Sequence, residues 1–298
     1  MALTECNTTV DDSGRELLEH GTVSFPVACY QDDFRICDVP WHWHEEWEAV
    51  IITQGSCLVA AGHQKKLLTA GEGFFIHSGV LHGCWDEENS GCMFHSIVFH
   101  PQLVSGGSDS IFHRQYVQPL LDCSGSEYIL LTPGIDWQNK ALQDIETAWQ
   151  HCVTEPPGFH FHVRNALSSL VYCLQSHCAV SVAPENEKTI RNARRIKTML
   201  SHIHSNYRNE LDIASIAASA ALSESECLRC FRTAIGTTPI QYLKQYRLRQ
   251  AAHLLESSEI KVCEIAARCG FQDVSYFTKS FREHLGTTPT QYRKERRS

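Results

Sequence analysis

Three histidines and a glutamate are spaced so that they can hold one divalent metal ion. His42, His44, Glu46 and Glu48 alternate with other residues in a tryptophan-rich segment. If the segment is extended, these four side chains point to one face, because side chains alternate along a strand. His82 follows farther along the chain. Imidazole and carboxylate groups ligate first-row transition metals, so the predicted metal set is His42, His44, Glu48 and His82.

The same face also suits a polar pocket that binds a small-molecule effector. Such a pocket requires no cofactor. Trp41, Trp43 and Trp47 point the other way, and we expect them to pack on the outside of a barrel rather than to stack on a sugar. A metal-free pocket, a bound divalent metal and a structural role all remain open from the sequence. The predicted effector-binding residues are His42, His44, Glu46, Glu48 and His82.

An internal repeat marks the last third of the chain. The motif Phe-Arg-x3-Gly-Thr-Thr-Pro-x-Gln-Tyr begins at Phe231 and again at Phe281, 50 residues later. Upstream, Ile-Ala-Ala begins at Ile216 and again at Ile265. In each copy a short helical pattern, a tight turn and a second helical pattern follow one another. This order is that of a helix-turn-helix, which places its second helix in the major groove of DNA.

The second helix of each copy presents a stripe of polar side chains if its Phe side packs inward. The stripe residues are spaced i, i+3, i+4, i+7, which is one face of a helix. Arg229 and Lys279 suit the edge of guanine, whereas Arg232 and Arg282 are expected to contact phosphate. Glu226 and Leu228 are unusual on a DNA-facing helix, which leaves the base preference of the first copy open. The predicted DNA-binding residues are Ser225, Leu228, Arg229, Arg232, Ser275, Thr278, Lys279 and Arg282.

Charge is divided unevenly along the 298 residues. Residues 189–298 contain 18 Lys and Arg against 10 Asp and Glu, whereas residues 1–188 contain 8 basic and 24 acidic residues. A basic region after an acidic one predicts a polyanion as the partner of the basic region. The net charge of −8 for the whole chain conceals this division.

Short strands separated by glycine turns fill residues 25–99, and helical periodicity begins near Trp137. Strands of this length and spacing predict a sandwich or barrel. The two helices that follow are a plausible dimer surface. We therefore predict a multi-domain protein: an all-β barrel with appended helices (residues 1–178), which the motifs described next liken to a cupin, a linker (179–188) and an all-α domain of two helix-turn-helix units (189–298).

The repeat region resembles the AraC/XylS family of bacterial transcription regulators. The resemblance covers roughly residues 189–294 and implies seven helices, with a long connector at Pro239–Leu255 between the two units. The segment from about Val39 to Asp86 resembles the cupin motifs H-x-H-x3-E-x6-G and G-x5-P-x-G-x2-H, with His77 in place of the proline. This resemblance implies a metal-binding or ligand-binding barrel of the kind that serves AraC-type regulators as effector domain.

These observations predict a sequence-specific, double-stranded-DNA-binding transcription regulator controlled by a small-molecule effector, such as a sugar, in the N-terminal barrel. We expect a bacterial homodimer without catalytic residues. We expect it in the cytoplasm, because residues 1–19 contain no apolar signal-peptide core and no apolar run is long enough for a membrane span. Two alternatives remain: a metal-dependent cupin enzyme with a DNA-binding tail, and a thiol redox sensor.

Fourteen cysteines suggest the redox alternative only by their number. They are scattered singly through apolar patterns, which is typical of reduced, buried cysteines in a cytosolic protein. The pair Cys227 and Cys230 forms a C-x-x-C motif, but no second pair lies at zinc-site spacing. Because Cys227 occupies the inward position that Phe277 has in the second copy, we predict a core cysteine there.

Overall fold

The computed structural model describes residues 3–4, 8, 10–11, 14–35, 39–61, 64–86, 90–122, 128–178 and 187–297. Contacts divide the chain into two units, Met1–Val10 with Arg15–Arg191 and Asp11–Gly14 with Asn192–Ser298. The predicted linker lies outside the described residues up to residue 186, and its last two residues begin a helix.

The first unit is built on two β-sheets. Its strands are β1 Leu3–Thr4, β2 Val27–Asp33, β3 Val39–His42, β4 Trp47–Gln54, β5 Ser56–Ala61, β6 Gln64–Thr69, β7 Gly73–Ile76, β8 His82–Trp85, β9 Met93–Phe99 and β10 Tyr128–Leu131. The six-stranded sheet has the order β1-β2-β9-β4-β7-β10, and the four-stranded sheet has the order β3-β8-β5-β6. All pairs are antiparallel except β1 with β2. The predicted cupin-like β domain is confirmed.

Four helices cover one face of the six-stranded sheet, and β10 lies between the second and the third of them in the chain. They are α1 Gln102–Ser105, α2 Gln118–Leu121 after a π-helical turn at His113–Val117, α3 Asp136–Thr154 and α4 Phe159–Cys178. On β4, Val50 and Ile52 belong to the core between the sheets, whereas Trp47, Ala49 and Ile51 belong to the core beneath α3 and α4. Both faces of β4 are buried. Because side chains alternate along a strand, successive residues of β4 belong to two different cores.

The segment between His42 and Glu48 is not one extended strand, contrary to the prediction. β3 ends at His42, residues 45 and 46 form a bend, and β4 starts at Trp47 in the other sheet. The bend is needed because the chain must cross between two facing sheets. His42 and Glu48 consequently reach the same interior from opposite sheets.

In the second unit, every regular element that the structure describes is a helix. Its helices are α5 Glu187–Asn206, α6 Ile213–Ser219, α7 Glu224–Ile235, α8 Pro239–Ser257, α9 Val262–Arg268, α10 Val274–Leu285 and α11 Pro289–Arg297. Helices α6 and α7 form the first helix-turn-helix, α9 and α10 form the second, and α8 connects them. The seven helices and the long connector agree with the sequence-based expectation.

Caps and turns explain where the helices of each copy begin and end. Ser223 caps α7 in a reciprocal capping box with Glu226, and Asp273 caps α10 by accepting a hydrogen bond from the backbone N–H of Tyr276. Side chains at this position satisfy backbone donors that have no partner within the helix. The turn of the second copy places Gly270 at φ +80°, and Ala221 occupies the equivalent position at φ +53°.

Each copy has its own apolar core. In the second copy, Phe277 and Phe281 of α10 are fully buried against residues of α8 and α9. In the first copy, Cys227 and Phe231 of α7 are fully buried at the corresponding positions. The Phe side of both second helices faces inward, as the sequence predicted, so the opposite stripe faces solvent.

Candidate functional site

A cluster of histidines lies inside the first unit, where β3 and β8 pair. His42 and His82 are register partners across these strands, and their ring centroids are 4.2 Å apart. The His44 ring lies 5.6 Å from that of His42 and 5.1 Å from that of His82. Glu48 reaches the cluster from β4 of the opposite sheet. His42, His44 and Glu48, which are close in the chain, and the distant His82 therefore share one buried place.

Backbone carbonyl groups orient all three rings in the same way. Nδ1 lies 2.9 Å from the Pro40 oxygen in His42, 3.1 Å from the Glu46 oxygen in His44 and 2.8 Å from the Val80 oxygen in His82. A carbonyl oxygen only accepts hydrogen bonds, so each Nδ1 carries the hydrogen and each neutral ring keeps a lone pair on Nε2. Histidines that ligate metals are held by such outer hydrogen bonds.

Glu48 faces two of these Nε2 atoms. Its Oε2 lies 2.9 Å from Nε2 of His82 and 3.6 Å from Nε2 of His44, while its Oε1 accepts a hydrogen bond of 2.7 Å from the Ser96 hydroxyl. Burial opposes ionisation of Glu48, but the close imidazoles of His44 and His82 outweigh it and hold the pKa of Glu48 well below the usual range. The site thus contains a buried carboxylate.

The four groups fit a divalent metal ion. One ligand atom from each of His42, His44, Glu48 and His82 lies within 4.8 Å of all the others. Burial and the neighbouring His82 lower the pKa of His42 to about 4, which keeps this ring neutral and able to ligate. Nε2 of His44 is buried without a hydrogen-bond partner among the described residues. Neutral imidazoles with one carboxylate are a ligand set of first-row divalent ions.

The cavity around these groups is small. Its volume is about 30 Å³, room for only a few water molecules, since one requires roughly 10–15 Å³ in this measure. Glu46 does not line it: its side chain is 24% exposed, and its main contribution is the backbone oxygen that receives Nδ1–H of His44. Asp86 accepts hydrogen bonds from the backbone N–H groups of Ser90 and Cys92 and thereby shapes a turn. Neither carboxylate belongs to the four-residue cluster.

A second carboxylate, which the sequence did not indicate, adjoins the cluster. Oε2 of Glu16 lies 3.8 Å from Nε2 of His42 and 3.1 Å from Nε2 of His20. Nδ1 of His20 in turn lies 2.8 Å from the Tyr30 hydroxyl. Burial opposes ionisation of Glu16, but the hydrogen bond with His20 and the neighbouring rings of His42, His20 and His44 together outweigh it, so the pKa of Glu16 is lowered. The segment has no regular periodicity, and only its i, i+4 acid–histidine pair hints at a role.

The predicted DNA-facing residues lie on the outer faces of α7 and α10. Six of the eight side chains are exposed, and Leu228 and Thr278 are half-buried. The Thr278 hydroxyl donates to the Val274 oxygen at 2.9 Å, and Nζ of Lys279 lies 3.9 Å from Oε1 of Glu283. The exposed set is Ser225, Arg229, Arg232, Ser275, Lys279 and Arg282.

The C-x-x-C motif does not form a reactive pair. Cys227 is fully buried, and its Sγ contacts Sδ of Met199 at 3.5 Å. Burial raises the pKa of both Cys227 and Cys230, which disfavours the reactive thiolate. Cys227 is therefore a core residue of the first copy, as predicted.

Known proteins resemble both units. Residues 24–138 match the profile of the AraC-like ligand binding domain, and residues 216–295 match a helix-turn-helix domain profile. An uncharacterized HTH-type transcriptional regulator of Bacillus subtilis, YdeC, is 29% identical over 274 residues, which cover 91% of this chain and 92% of that protein. The HTH-type transcriptional activator RhaR of Cronobacter sakazakii is 23% identical over 244 residues, 80% of each chain.

Among solved structures, the C-terminal domain of the two-component response regulator yesN from Fusobacterium nucleatum is 31% identical, with a TM-score of 0.32. The match covers 34% of this chain and 98% of that chain. Among the described residues, no helix has both the length and the apolar character to cross a membrane.

The two profile matches, together with the paired helix-turn-helix units, assign the function. The chain belongs to the AraC/XylS family and is a transcription regulator with a C-terminal DNA-binding domain and an N-terminal ligand-binding domain.

Proposed function

We propose that the ligand of the N-terminal domain is a divalent transition-metal ion, held by His42, His44, Glu48 and His82, and that its binding controls the affinity for DNA. The observation that carries this proposal is the common orientation of the three rings. Each uses Nδ1–H on a backbone oxygen. Nε2 of His44 and of His82 faces the buried Glu48 carboxylate, and a ligand atom of His42 lies within 4.8 Å of theirs. When bound, the ion would supply the positive charge that joins the two sheets at this point.

The size of the cavity favours an ion over a sugar. A volume of about 30 Å³ accepts an ion or a water molecule, whereas pockets for small organic ligands have roughly 300–1,000 Å³. The same volume leaves no room for a substrate beside an ion, which speaks against the metal-dependent enzyme. That the relatives are named as transcriptional regulators points in the same direction.

DNA recognition is assigned to α7 and α10. We propose that Arg229 and Lys279 contact base edges, that Ser225, Leu228, Ser275 and Thr278 complete these faces, and that Arg232 and Arg282 contact phosphates. Support comes from the exposed stripe opposite a fully buried Phe side in both helices. Two such helices would enter successive major grooves, roughly 34 Å apart.

The regulator is proposed to act as a homodimer in the cytoplasm of a bacterium. Support for the dimer comes from α4, where Phe161 is 71% and Tyr172 is 60% exposed. Large apolar side chains that face solvent are common at protein interfaces. The bacterial setting follows the organisms of the relatives.

Operator binding with and without metal tests the proposed function. The full chain would be stripped with a chelator, its operator selected from random DNA, and the affinity measured as Zn²⁺, Co²⁺ or Mn²⁺ is added back. We expect one ion per chain and a change of operator affinity of at least about tenfold, which corresponds to 1.4 kcal/mol. An unchanged operator affinity in protein that demonstrably holds one ion would contradict control by the metal.

A further inference from the structure

The N-terminal segment Arg15–His20 lies against the metal-binding cluster and contributes a buried charge to it. The Glu16 side chain is only 6% exposed, and that of His20 is 3% exposed. In the first unit, the segment is held beside the bend between β3 and β4 by a hydrogen bond from the backbone N–H of Glu16 to the Trp43 oxygen. The segment Arg15–His20 thus crosses the cluster, and the Glu16 side chain is on its inner side.

The charges of the cluster are incomplete without Glu16. A divalent ion bound by three neutral histidines and the Glu48 carboxylate would leave one net positive charge in a buried place. An uncompensated buried charge is costly. Oε2 of Glu16 lies 3.8 Å from Nε2 of His42, one of the ligand atoms. Besides Glu48, two carboxylates line this cavity, Glu16 and Asp32, and the contact of 3.8 Å with a ligand atom belongs to Glu16.

We infer that Glu16 is the charge-compensating carboxylate of the metal site, and that the bound ion holds the segment Arg15–His20 closed over the barrel. Glu16 is assigned a place beside the ion and not among its ligands, because the set of mutually close ligand atoms contains only the four other residues. The inference rests on the proposed metal site and adds a residue that reports whether the site is filled.

Other contacts of the segment position Glu16. His20 holds its carboxylate at 3.1 Å and is itself 2.8 Å from the Tyr30 hydroxyl. Arg15 pairs with Glu45 at 3.1 Å on the exposed side of the bend. Exposed ion pairs contribute little to stability, so the Arg15–Glu45 pair holds the segment only weakly. Attraction between a dication and a buried carboxylate is much stronger than at the surface, which makes closure dependent on the ion.

Three variants of the full chain test this inference: Glu16→Gln, Glu19→Gln and His82→Ala. Gln has the size of Glu and still bonds to His20, and Glu19 is an exposed acid of the same segment, so it is the matched control. Affinity for Co²⁺ would be measured by competition with a chelator, together with the optical spectrum of the bound Co²⁺. Hydrogen exchange of residues 14–20 would be compared with and without the ion.

We expect Co²⁺ to slow exchange of residues 14–20 at least about tenfold in the natural chain and in Glu19→Gln. In Glu16→Gln this protection is lost and the Co²⁺ affinity falls about tenfold, while the spectrum stays unchanged because the ligands are unchanged. A double variant with His82→Ala shows no further effect of Glu16→Gln.

If Glu16→Gln binds Co²⁺ as tightly as the natural chain and shows the same protection from hydrogen exchange, the inference is overturned and the proposed metal site stays intact. A changed Co²⁺ spectrum in that variant would make Glu16 a ligand and overturn its place beside the ion. If the natural chain binds no divalent ion, the proposed function itself fails. Melting temperatures of the chelated proteins show whether Glu16→Gln folds as the natural chain does.

Discussion

Nε2 of His82 lies 2.9 Å from Oε2 of Glu48, although Nδ1 of the same ring already directs its hydrogen to the Val80 oxygen. A neutral His82 therefore brings a lone pair toward a carboxylate, and only a proton or a cation between the two makes the contact favourable. The pair comes from two different sheets, so whatever joins these atoms also joins the sheets. This relationship is the physical basis of the proposed metal site.

Replacing His82 by alanine should abolish stoichiometric metal binding. The natural chain should contain close to one ion after dialysis against Zn²⁺, and His82→Ala should bind it more weakly by more than about 100-fold, because it loses a ligand and leaves Glu48 without this partner. Elemental analysis checks the result. His253→Ala, an exposed histidine of α8, is the control. One tightly bound ion in His82→Ala would place the metal elsewhere.

Lys279→Ala and Arg229→Ala should relax base preference in their respective half of the operator. Each removes a side chain that suits guanine, a contact of roughly 1–3 kcal/mol. Selection of binding sites from random DNA measures the preference position by position. Glu283→Ala is the control for α10, because Glu283 lies one turn beyond Lys279 and pairs with it at 3.9 Å. An unchanged selected site in Lys279→Ala would refute the assigned face of α10.

Arg232→Ala should weaken binding to all DNA sequences alike. Arg232 is exposed at the last turn of α7, where a contact with phosphate is expected. The affinity should fall less steeply with salt than that of the natural chain, by about one unit of the logarithmic slope, because one fewer phosphate is neutralised. Titration of specific and random duplexes between 50 and 200 mM salt (about the range in which such slopes are resolved) measures both effects. Loss of preference at one base would show direct base contact.

The two helix-turn-helix turns should respond oppositely to exchanges of glycine and alanine. A Cβ at residue 270 would lie 2.6 Å from the backbone oxygen of Tyr207, and its φ is +80°. Gly270→Ala should therefore lower the free energy of unfolding by about 1–3 kcal/mol. Ala221→Gly, at φ +53°, should cost nothing or stabilise by up to about 1 kcal/mol. Urea unfolding checks both, and equal destabilisation by the two changes would contradict the role of backbone conformation.

His77 should make the protein sensitive to acid. Burial lowers its pKa to about 4 from the ordinary 6.5, and both ring nitrogens lack a hydrogen-bond partner among the described residues. Below pH 6.5 the unfolded chain binds a proton that the folded chain excludes, so stability is complete above this pH and falls toward pH 4. The loss at pH 4 amounts to about 3 kcal/mol.

His77→Leu should lack this part of the acid sensitivity. Urea unfolding of both chelated proteins at pH 7 and pH 4.5 measures it. The difference in unfolding free energy between the variant and the natural chain should be larger at the lower pH. A difference that is the same at both pH values would show that His77 titrates alike in the folded and unfolded states.

Local rules were sufficient for the DNA-binding unit. Repeated motifs at Phe231 and Phe281 predicted two copies, and helical spacing predicted which side of α7 and α10 is buried. These features depend on residues that are close in sequence, since a helix sets its faces by its own period and ends where its backbone groups find partners. Even the inward position of Cys227 followed from the register of the repeat.

The sensor site needed the tertiary structure. The sequence by itself determined the candidate ligands His42, His44, Glu48 and His82, because motif spacing and residue chemistry identify them. Only the tertiary structure decided that the chain bends between His44 and Glu48, that Glu46 turns away, and that Glu16 enters from a segment without periodicity. Burial and contacts between distant segments depend on how the two sheets face each other. No local pattern of residues encodes the arrangement of the two sheets.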